Sequence, residues 1–183
     1  MQDNRPKMDA FLASVEKRAF YMARMATGNR EDALDIVQEA MFSWVRYYQT
    51  KPETLWKALF YRVLNSRIND WYRRRRVRHR VRRWFGGRTT EAGDTGEDPI
   101  ERLPDTGSPP PVEQVMVGAA TETLAKALKA LPLRQRQAFL LRAWEGMSVK
   151  ATAAAMQCSQ GSVKTHYSRA LQALRHQLEG YWP

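Results

Sequence analysis

The chain has 183 residues, 43% of them apolar, and carries a formal net charge of +11 at pH 7. This length suits one medium domain or two small ones with modest cores, and this charge favours a nucleic acid or an anionic membrane surface as partner over an acidic small substrate. The single cysteine, Cys158, excludes an internal disulfide, and the three histidines lack the spacing of metal ligands.

The first two predicted elements are helices separated by Gly28. Residues 9–27 place apolar side chains at helical spacing, and Asn29 is a suitable N-cap for a second helix. That second helix has an apolar face, and its opposite face carries Asp32, Asp35, Gln38 and Glu39. From the pattern alone this acidic face is either ordinary solvated surface or an interface.

A third helix is predicted from about residue 53 into a run of arginines. Residues 73–83 read RRRRVRHRVRR and hold eight of the 30 lysines and arginines, a density that neutralises phosphates without reading sequence. Polar and aromatic side chains precede the run, namely Tyr61, Arg62, Asn65, Arg67, Asn69, Trp71 and Tyr72. Their base-edge and stacking chemistry favours opened or single-stranded DNA as the partner over the alternative of a solvated helix end.

The next segment is acidic and rich in proline and glycine. Residues 89–115 contain seven acidic side chains and one basic side chain, Arg102, together with five prolines. This composition predicts an extended, flexible linker. The linker is either a passive tether or an acidic strand that folds back on the arginine run or imitates a nucleic acid.

The C-terminal part has the pattern of a helix-turn-helix motif. Ser148 is positioned to cap a short helix, residues 157–158 form a turn, and Ser159 caps a longer helix to about residue 178. The second helix carries side chains suited to a major groove, including Gln160, Ser162, Lys164, Thr165, Ser168 and Arg169. A plain antiparallel helical hairpin is the alternative.

Taken together, these stretches resemble the bacterial RNA polymerase sigma factors of the extracytoplasmic-function type. Residues 27–44 (TGNREDALDIVQEAMFSW) resemble the family's core-polymerase-binding helix, and residues 60–76 (FYRVLNSRINDWYRRRR) resemble its promoter-melting region. Residues 131–174 resemble its minus-thirty-five domain. The resemblance implies an all-α fold with a three-helix region 2 type domain (1–86), a flexible acidic linker (87–117) and a helix-turn-helix region 4 type domain (118–183).

The resemblance also implies partners and site residues. Core RNA polymerase would be bound through the clamp helices of its largest subunit and its beta-subunit flap. Residues facing polymerase would be Asp32, Asp35, Gln38, Glu39 and Phe42. Residues at the minus-ten element would be Tyr61, Arg62, Asn65, Arg67, Asn69, Arg73, Arg74, Arg75 and Arg76. Residues at the minus-thirty-five duplex would be Ser159, Gln160, Ser162, Lys164, Thr165, His166, Ser168 and Arg169. An anti-sigma factor is a further candidate partner.

Three positions depart from the family pattern. Ser66 stands where asparagine is common, and residues 48–52 form a shorter loop than the one that usually captures a flipped base. Gln157 stands where glycine usually makes the turn, so a non-glycine residue with positive φ is expected there.

Other functions fit the sequence less well. No nucleophile elbow, phosphate-binding glycine loop or metal-ligand set is present, so neither an enzyme nor a bound cofactor or metal is expected. A stand-alone helix-turn-helix regulator leaves the arginine-rich third helix unexplained, and a basic RNA-binding or membrane-surface protein rests on charge alone. Since the N-terminus lacks the apolar core of a signal peptide, we expect a cytoplasmic protein without membrane insertion.

Overall fold

The computed structural model describes residues 5–85 and 119–178, with side chains described for residues 5–77 and 123–178. The predicted linker at 87–117 and the side chains of residues 78–83 in the arginine run therefore lie outside the described part. Every regular element in the described ranges is helical, which confirms the all-α fold class.

Three helices form the N-terminal half: α1 (Arg5–Thr27), α2 (Arg30–Tyr48) and α3 (Glu53–Phe85). Gly28 ends α1 with a positive φ of 70°. Asn29 then caps α2, because its Oδ1 accepts hydrogen bonds from the backbone N–H groups of Glu31 at 2.7 Å and Asp32 at 3.3 Å. These local signals, which the sequence predicts, set the sharp turn between α1 and α2.

An aromatic cluster forms the core of this half. Phe11 of α1 lies 5.0 Å from Trp44 of α2, and Trp44 lies 5.4 Å from Trp56 of α3, measured between ring centroids. Trp44, Trp56 and Phe60 are all essentially inaccessible to solvent. Since each of the three helices contributes at least one aromatic residue, the cluster fixes all three helices relative to one another.

The C-terminal half contains α4 (Ala119–Ala130), α5 (Leu133–Phe139), α6 (Val149–Met156) and α7 (Gln160–Gln177). The sequence pattern predicts one α-helix over residues 133–144, but a π-helical turn (Leu140–Trp144) replaces its second part. Here the N–H of Glu145 donates to the carbonyl of Leu140, five residues earlier, at 2.9 Å. The extra residue in this turn directs Glu145 toward the N-terminal half.

Helices α6 and α7 form the predicted helix-turn-helix pair. The Oγ of Ser148 accepts from the N–H of Ala151 at 3.1 Å, and the Oγ of Ser159 accepts from the N–H of Ser162 at 3.0 Å. Between them Gln157 has φ 55° and ψ 46°, the left-handed conformation expected from its position. Two serine caps and one left-handed residue thus define the turn.

The two halves pack against each other in this structure, mainly through α6 on α3. Buried side chains from both halves belong to one continuous apolar cluster. From the sequence, the length of the linker indicates that the two halves can occupy separate sites. No sequence pattern indicates that they pack against each other.

The left-handed conformation of Gln157 leads to a stability prediction. Gln157→Gly removes the steric cost of a Cβ at positive φ, so we expect the free energy of unfolding to rise by up to about 1 kcal/mol. Ala154→Gly, at an exposed position inside α6, is the matched control and should lower it by about 1 kcal/mol. Urea denaturation followed by circular dichroism measures both. Equal destabilisation by the two glycines would contradict the prediction.

Candidate nucleic-acid and protein interfaces

The exposed face of α2 combines acidic, polar and apolar side chains. Asp35, Gln38 and Glu39 are exposed, and Asp32 is half-buried in the first turn. Phe42 is 73% exposed on the same helix. A large apolar side chain held in water beside carboxylates is typical of a surface that a basic, partly apolar partner covers. The structure thus brings the five predicted residues of α2 onto one accessible helix.

Arg67 connects this face to α3. Its Nη2 donates to the Oγ of Ser43 at 2.8 Å, and its Nη1 lies 3.7 Å from Oε2 of Glu39. Both members of the ion pair are partly exposed, so the pair contributes little to stability. The contact nevertheless places a predicted DNA-contacting residue and a predicted partner-contacting residue side by side.

The second part of α3 presents the cationic surface. Arg62, Arg73, Arg74 and Arg76 are exposed. The guanidinium of Arg75 is half-buried and lies 5.2 Å from the ring centroid of Trp71, a cation–π geometry that orders this side chain. A helix with several exposed arginines can contact consecutive phosphates of a strand.

Three other predicted DNA-contacting residues of α3 are covered by the C-terminal half. Tyr61 is 0% exposed and Asn65 is 3% exposed, while the Oδ1 of Asn69 accepts from Nε2 of Gln137 at 3.2 Å. The sequence pattern places these residues on the outer sides of α3. In the packed arrangement Tyr61 and Asn65 cannot reach a nucleic acid, because the contact with the C-terminal half takes up their side of the helix, whereas Asn69 is half-buried.

The environment of Tyr61 affects its ionisation. Burial and, secondarily, the nearby Glu145 carboxylate raise the pKa of Tyr61 well above its ordinary value. The phenol is therefore neutral at physiological pH. It retains a hydroxyl that can donate a hydrogen bond.

Most of the predicted groove-facing side chains of α7 are accessible. The exposed ones are Ser159, Gln160, Lys164, Thr165, Ser168 and Arg169. Ser162 is half-buried and shares a hydrogen bond of 2.9 Å with the cap hydroxyl of Ser159. The exposed side chains lie along one side of α7, at the spacing that base-edge and phosphate contacts in a groove require.

His166 is the exception among the predicted residues of α7. It is only 9% exposed and lies on the inner stripe with Val163, Ala170 and Leu174. The spacing of three, four and four residues along this stripe identifies the buried face of α7. In this arrangement His166 therefore lies on the buried face of α7, apart from the exposed side chains, and the apolar spacing is the signal that identifies its position.

The sequence does not reveal the structural role of two buried charged residues, Arg136 and Glu145. Arg136 is 2% exposed and Glu145 is 5% exposed. In the sequence Arg136 is one of many residues in the stretch 131–174 that resembles the minus-thirty-five domain, and Glu145, which precedes a glycine, resembles an ordinary turn residue. Both contact the N-terminal half, so only tertiary packing reveals their role.

Three further properties of the described residues concern metal ligands, the free thiol and membrane-spanning helices. No group of three or more His, Cys, Asp or Glu residues there could hold a metal ion. Cys158 is a half-buried free thiol whose pKa is raised by burial. None of the helices in residues 5–85 and 119–178 is long and apolar enough to cross a membrane.

Comparison with known proteins finds similarity along the whole chain. The family described as Sigma-70, region 4 matches residues 121–174. The RNA polymerase sigma-E factor of Streptomyces avermitilis is 34% identical over 175 residues, covering 96% of this chain and 82% of that protein. The ECF RNA polymerase sigma factor SigX of Bacillus subtilis is 24% identical over 173 residues, covering 93% and 81%.

A solved structure has the same fold. The sigma factor RpoE of Bartonella quintana, determined in complex with the anti-sigma factor NepR, superimposes with a TM-score of 0.60 at 21% identity. The match covers 100% of both chains. The similarity therefore includes the helices of both halves.

The exposed arginines of α3 lead to a prediction about salt dependence. Replacing Arg73 and Arg74 by alanine should weaken binding to single-stranded DNA and flatten the salt dependence, by about 0.7 in log–log slope for each phosphate that is no longer neutralised. Replacing Lys17 and Arg30 by alanine is the control, because it removes the same charge from exposed positions outside this surface. Fluorescence anisotropy titrations over a range of salt concentrations measure the slopes. Identical slopes for the two double variants would show that charge alone, without a defined surface, governs binding.

Proposed function

The chain belongs to the extracytoplasmic-function sigma factors of bacterial RNA polymerase, and we propose which of its surfaces bind polymerase and which bind promoter DNA. It binds core RNA polymerase and directs it to specific promoters, and it is not an enzyme. The similarity to sigma factors over 96% of the chain carries this conclusion. A stand-alone helix-turn-helix regulator would account only for the C-terminal half.

We propose that the exposed face of α2 binds the clamp helices of the largest polymerase subunit. The proposed contact residues are Asp32, Asp35, Gln38, Glu39 and Phe42. Phe42 supplies apolar contact area and the carboxylates supply charge complementarity, which fixes orientation and accelerates association. The beta-subunit flap is proposed as the contact of the C-terminal half.

The minus-ten element is assigned to α3. Arg62, Arg73, Arg74, Arg75 and Arg76 would hold phosphates of the opened strand. Tyr61, Asn65, Arg67 and Asn69 would offer hydrogen bonds and a stacking surface to its bases. Within this second group, Tyr61 and Asn65 become available only after the C-terminal half moves away from α3.

The minus-thirty-five element is assigned to α7. Its exposed polar side chains suit direct contacts to base edges, and Lys164 and Arg169 suit phosphates. On this division the region 2 type domain comprises residues 1–86 and the region 4 type domain comprises residues 118–183. The segment 87–117 joins them.

We further propose a cytoplasmic location, where core polymerase and promoter DNA are found. An anti-sigma factor is a proposed partner as well, in line with the complex of RpoE with NepR in Bartonella quintana. Such a partner would compete for the surfaces already assigned to polymerase and DNA.

The first functional prediction concerns Asp35. Asp35→Arg reverses a charge at the centre of the proposed polymerase interface, so co-elution of the chain with core RNA polymerase in size-exclusion chromatography should be abolished. Glu16→Arg, an equal reversal at an exposed position of α1, should leave co-elution unchanged. Retention of co-elution by the Asp35 variant would assign polymerase binding to another surface.

The second functional prediction separates base contacts from phosphate contacts on α7. Arg169→Ala should weaken binding to all duplexes alike and flatten the salt dependence by about 0.9 in slope. Gln160→Ala should instead relax base preference at one position by about 1–3 kcal/mol. Sequencing of duplexes bound from a randomised pool, combined with salt titrations, distinguishes the two effects. A change of base preference in the Arg169 variant alone would reverse the assignment.

A further inference from the structure

A small cavity lies between the two halves, where side chains of α3 and α5 meet. Its volume is about 10 Å³, and its wall includes Asn65 and Ile68 of α3 with Leu133, Arg136 and Gln137 of α5. Helix α1 and the π-helical turn complete the wall. A cavity holds one water molecule from about 10–15 Å³ upward. This cavity therefore has room for a single water molecule and for nothing larger.

Two buried amide groups border this cavity, one from each half. Asn65 is 3% exposed and Gln137 is 5% exposed. Nδ2 of Asn65 is a donor and Oε1 of Gln137 is an acceptor, and both atoms are buried without a hydrogen-bond partner among the described residues. A buried polar group in a folded protein is normally bonded to the protein or to an ordered water molecule. The two amides therefore require a partner that the side chains around them do not supply.

The rest of the wall cannot satisfy these amides. Nε2 of Gln137 donates to Oδ1 of Asn69 at 3.2 Å, so Oε1 is the atom that is left to accept. Among the other side chains of the wall only Arg136 is polar. Its Nη2 donates to the hydroxyl of Tyr72 at 3.0 Å, which holds the guanidinium in place. Because a guanidinium only donates, Arg136 cannot be the acceptor that Nδ2 of Asn65 requires.

A buried ion pair fixes the two sides of the cavity relative to each other. Oε2 of Glu145 lies 3.0 Å from Nζ of Lys57 and 3.5 Å from Nη1 of Arg18. Lys57 also donates to the backbone carbonyl of Glu145 at 2.6 Å. The carboxylate belongs to the C-terminal half and both cations belong to the N-terminal half, so the paired charges favour one relative orientation of the halves. The relative position of Asn65 and Gln137 follows from that orientation.

We propose that this cavity binds one water molecule, which bridges the two halves by accepting a hydrogen bond from Nδ2 of Asn65 and donating one to Oε1 of Gln137. A water molecule both donates and accepts, so it satisfies the two amides at once. The bridge does not depend on which way the Asn65 amide is turned, because a water molecule can also donate to its Oδ1. The bridge rests on the cavity and its polar atoms alone, independently of the proposed function.

The direct test detects the bound water by NMR on the isotopically labelled full chain. The side-chain amide protons of Asn65 should show NOE and ROE cross-peaks to water of opposite sign, because the bound water stays longer than the chain takes to tumble. Asn29, an exposed residue in the same sample, is the internal control and should lack this pattern. Gln137→Met removes the acceptor and should abolish the Asn65 cross-peaks. Their absence from the wild type, or their persistence in Gln137→Met, would overturn the proposal.

The sign of a stability change gives a second test. Asn65→Leu replaces the amide by an apolar group of the same branched shape. With a bridging water this variant leaves Oε1 of Gln137 without a partner, so the urea midpoint should fall, whereas without a water it removes an unpaired donor and the midpoint should rise. Thr152→Val is the matched control for the second case and should raise the midpoint, because Oγ1 of Thr152 is buried without a partner among the described residues and does not border the cavity. A rise for Asn65→Leu like that for Thr152→Val would refute the bridge.

A double variant tests whether the two amides act through one shared water. Asn65→Leu and Gln137→Met each break the same bridge, and Gln137→Met also loses the bond to Asn69. Their combination should therefore lower the urea midpoint by less than the sum of the two single changes. Additive decreases would mean that the two amides act separately and would exclude a shared water.

Discussion

The relative position of the two halves depends on the rule that a buried charge must be paired. Arg136 and Glu145 are almost inaccessible to solvent, and in a low-dielectric environment an unpaired ion of either sign costs several kcal/mol. Each finds partners across the contact: Arg136 at the last turn of α1, and Glu145 at Lys57 and Arg18. Apolar packing alone would tolerate small rotations of one half against the other, whereas these two sites allow few alternatives.

Helix α3 links the core to the interfaces. Over its first turns Trp56 and Phe60 pack into the aromatic cluster of the N-terminal half, and farther along the same helix exposes Arg73 and Arg74. At 33 residues it is about 50 Å long. Because one continuous helix carries both functions, the core determines the direction in which the cationic surface projects. Arg67 adds a lateral contact between this helix and α2.

The sequence predicts a structural feature when the residues that cause it lie close to it in the chain. Asn29, Ser148 and Ser159 identify helix starts correctly because a cap acts within three residues of itself. Local spacing is likewise sufficient to place His166 on the inner stripe of α7. Tyr61, Asn65 and Glu145 are different, since their burial arises from residues far away in the sequence. No periodicity within α3 indicates which of its sides a second domain covers.

In the π-helical turn at Leu140–Trp144, the number of residues affects the direction of the following chain more than the identity of the side chains does. A single-residue deletion within the turn would restore α-helical hydrogen bonding and rotate the following residues by about 100° around the helix axis. Glu145 would then point away from Lys57, although no contacting side chain had been altered. Substitutions inside the turn keep the rotation and preserve the pairing. Relatives with the same number of residues in this turn would therefore share the interdomain contact, and relatives with one residue more or fewer would not.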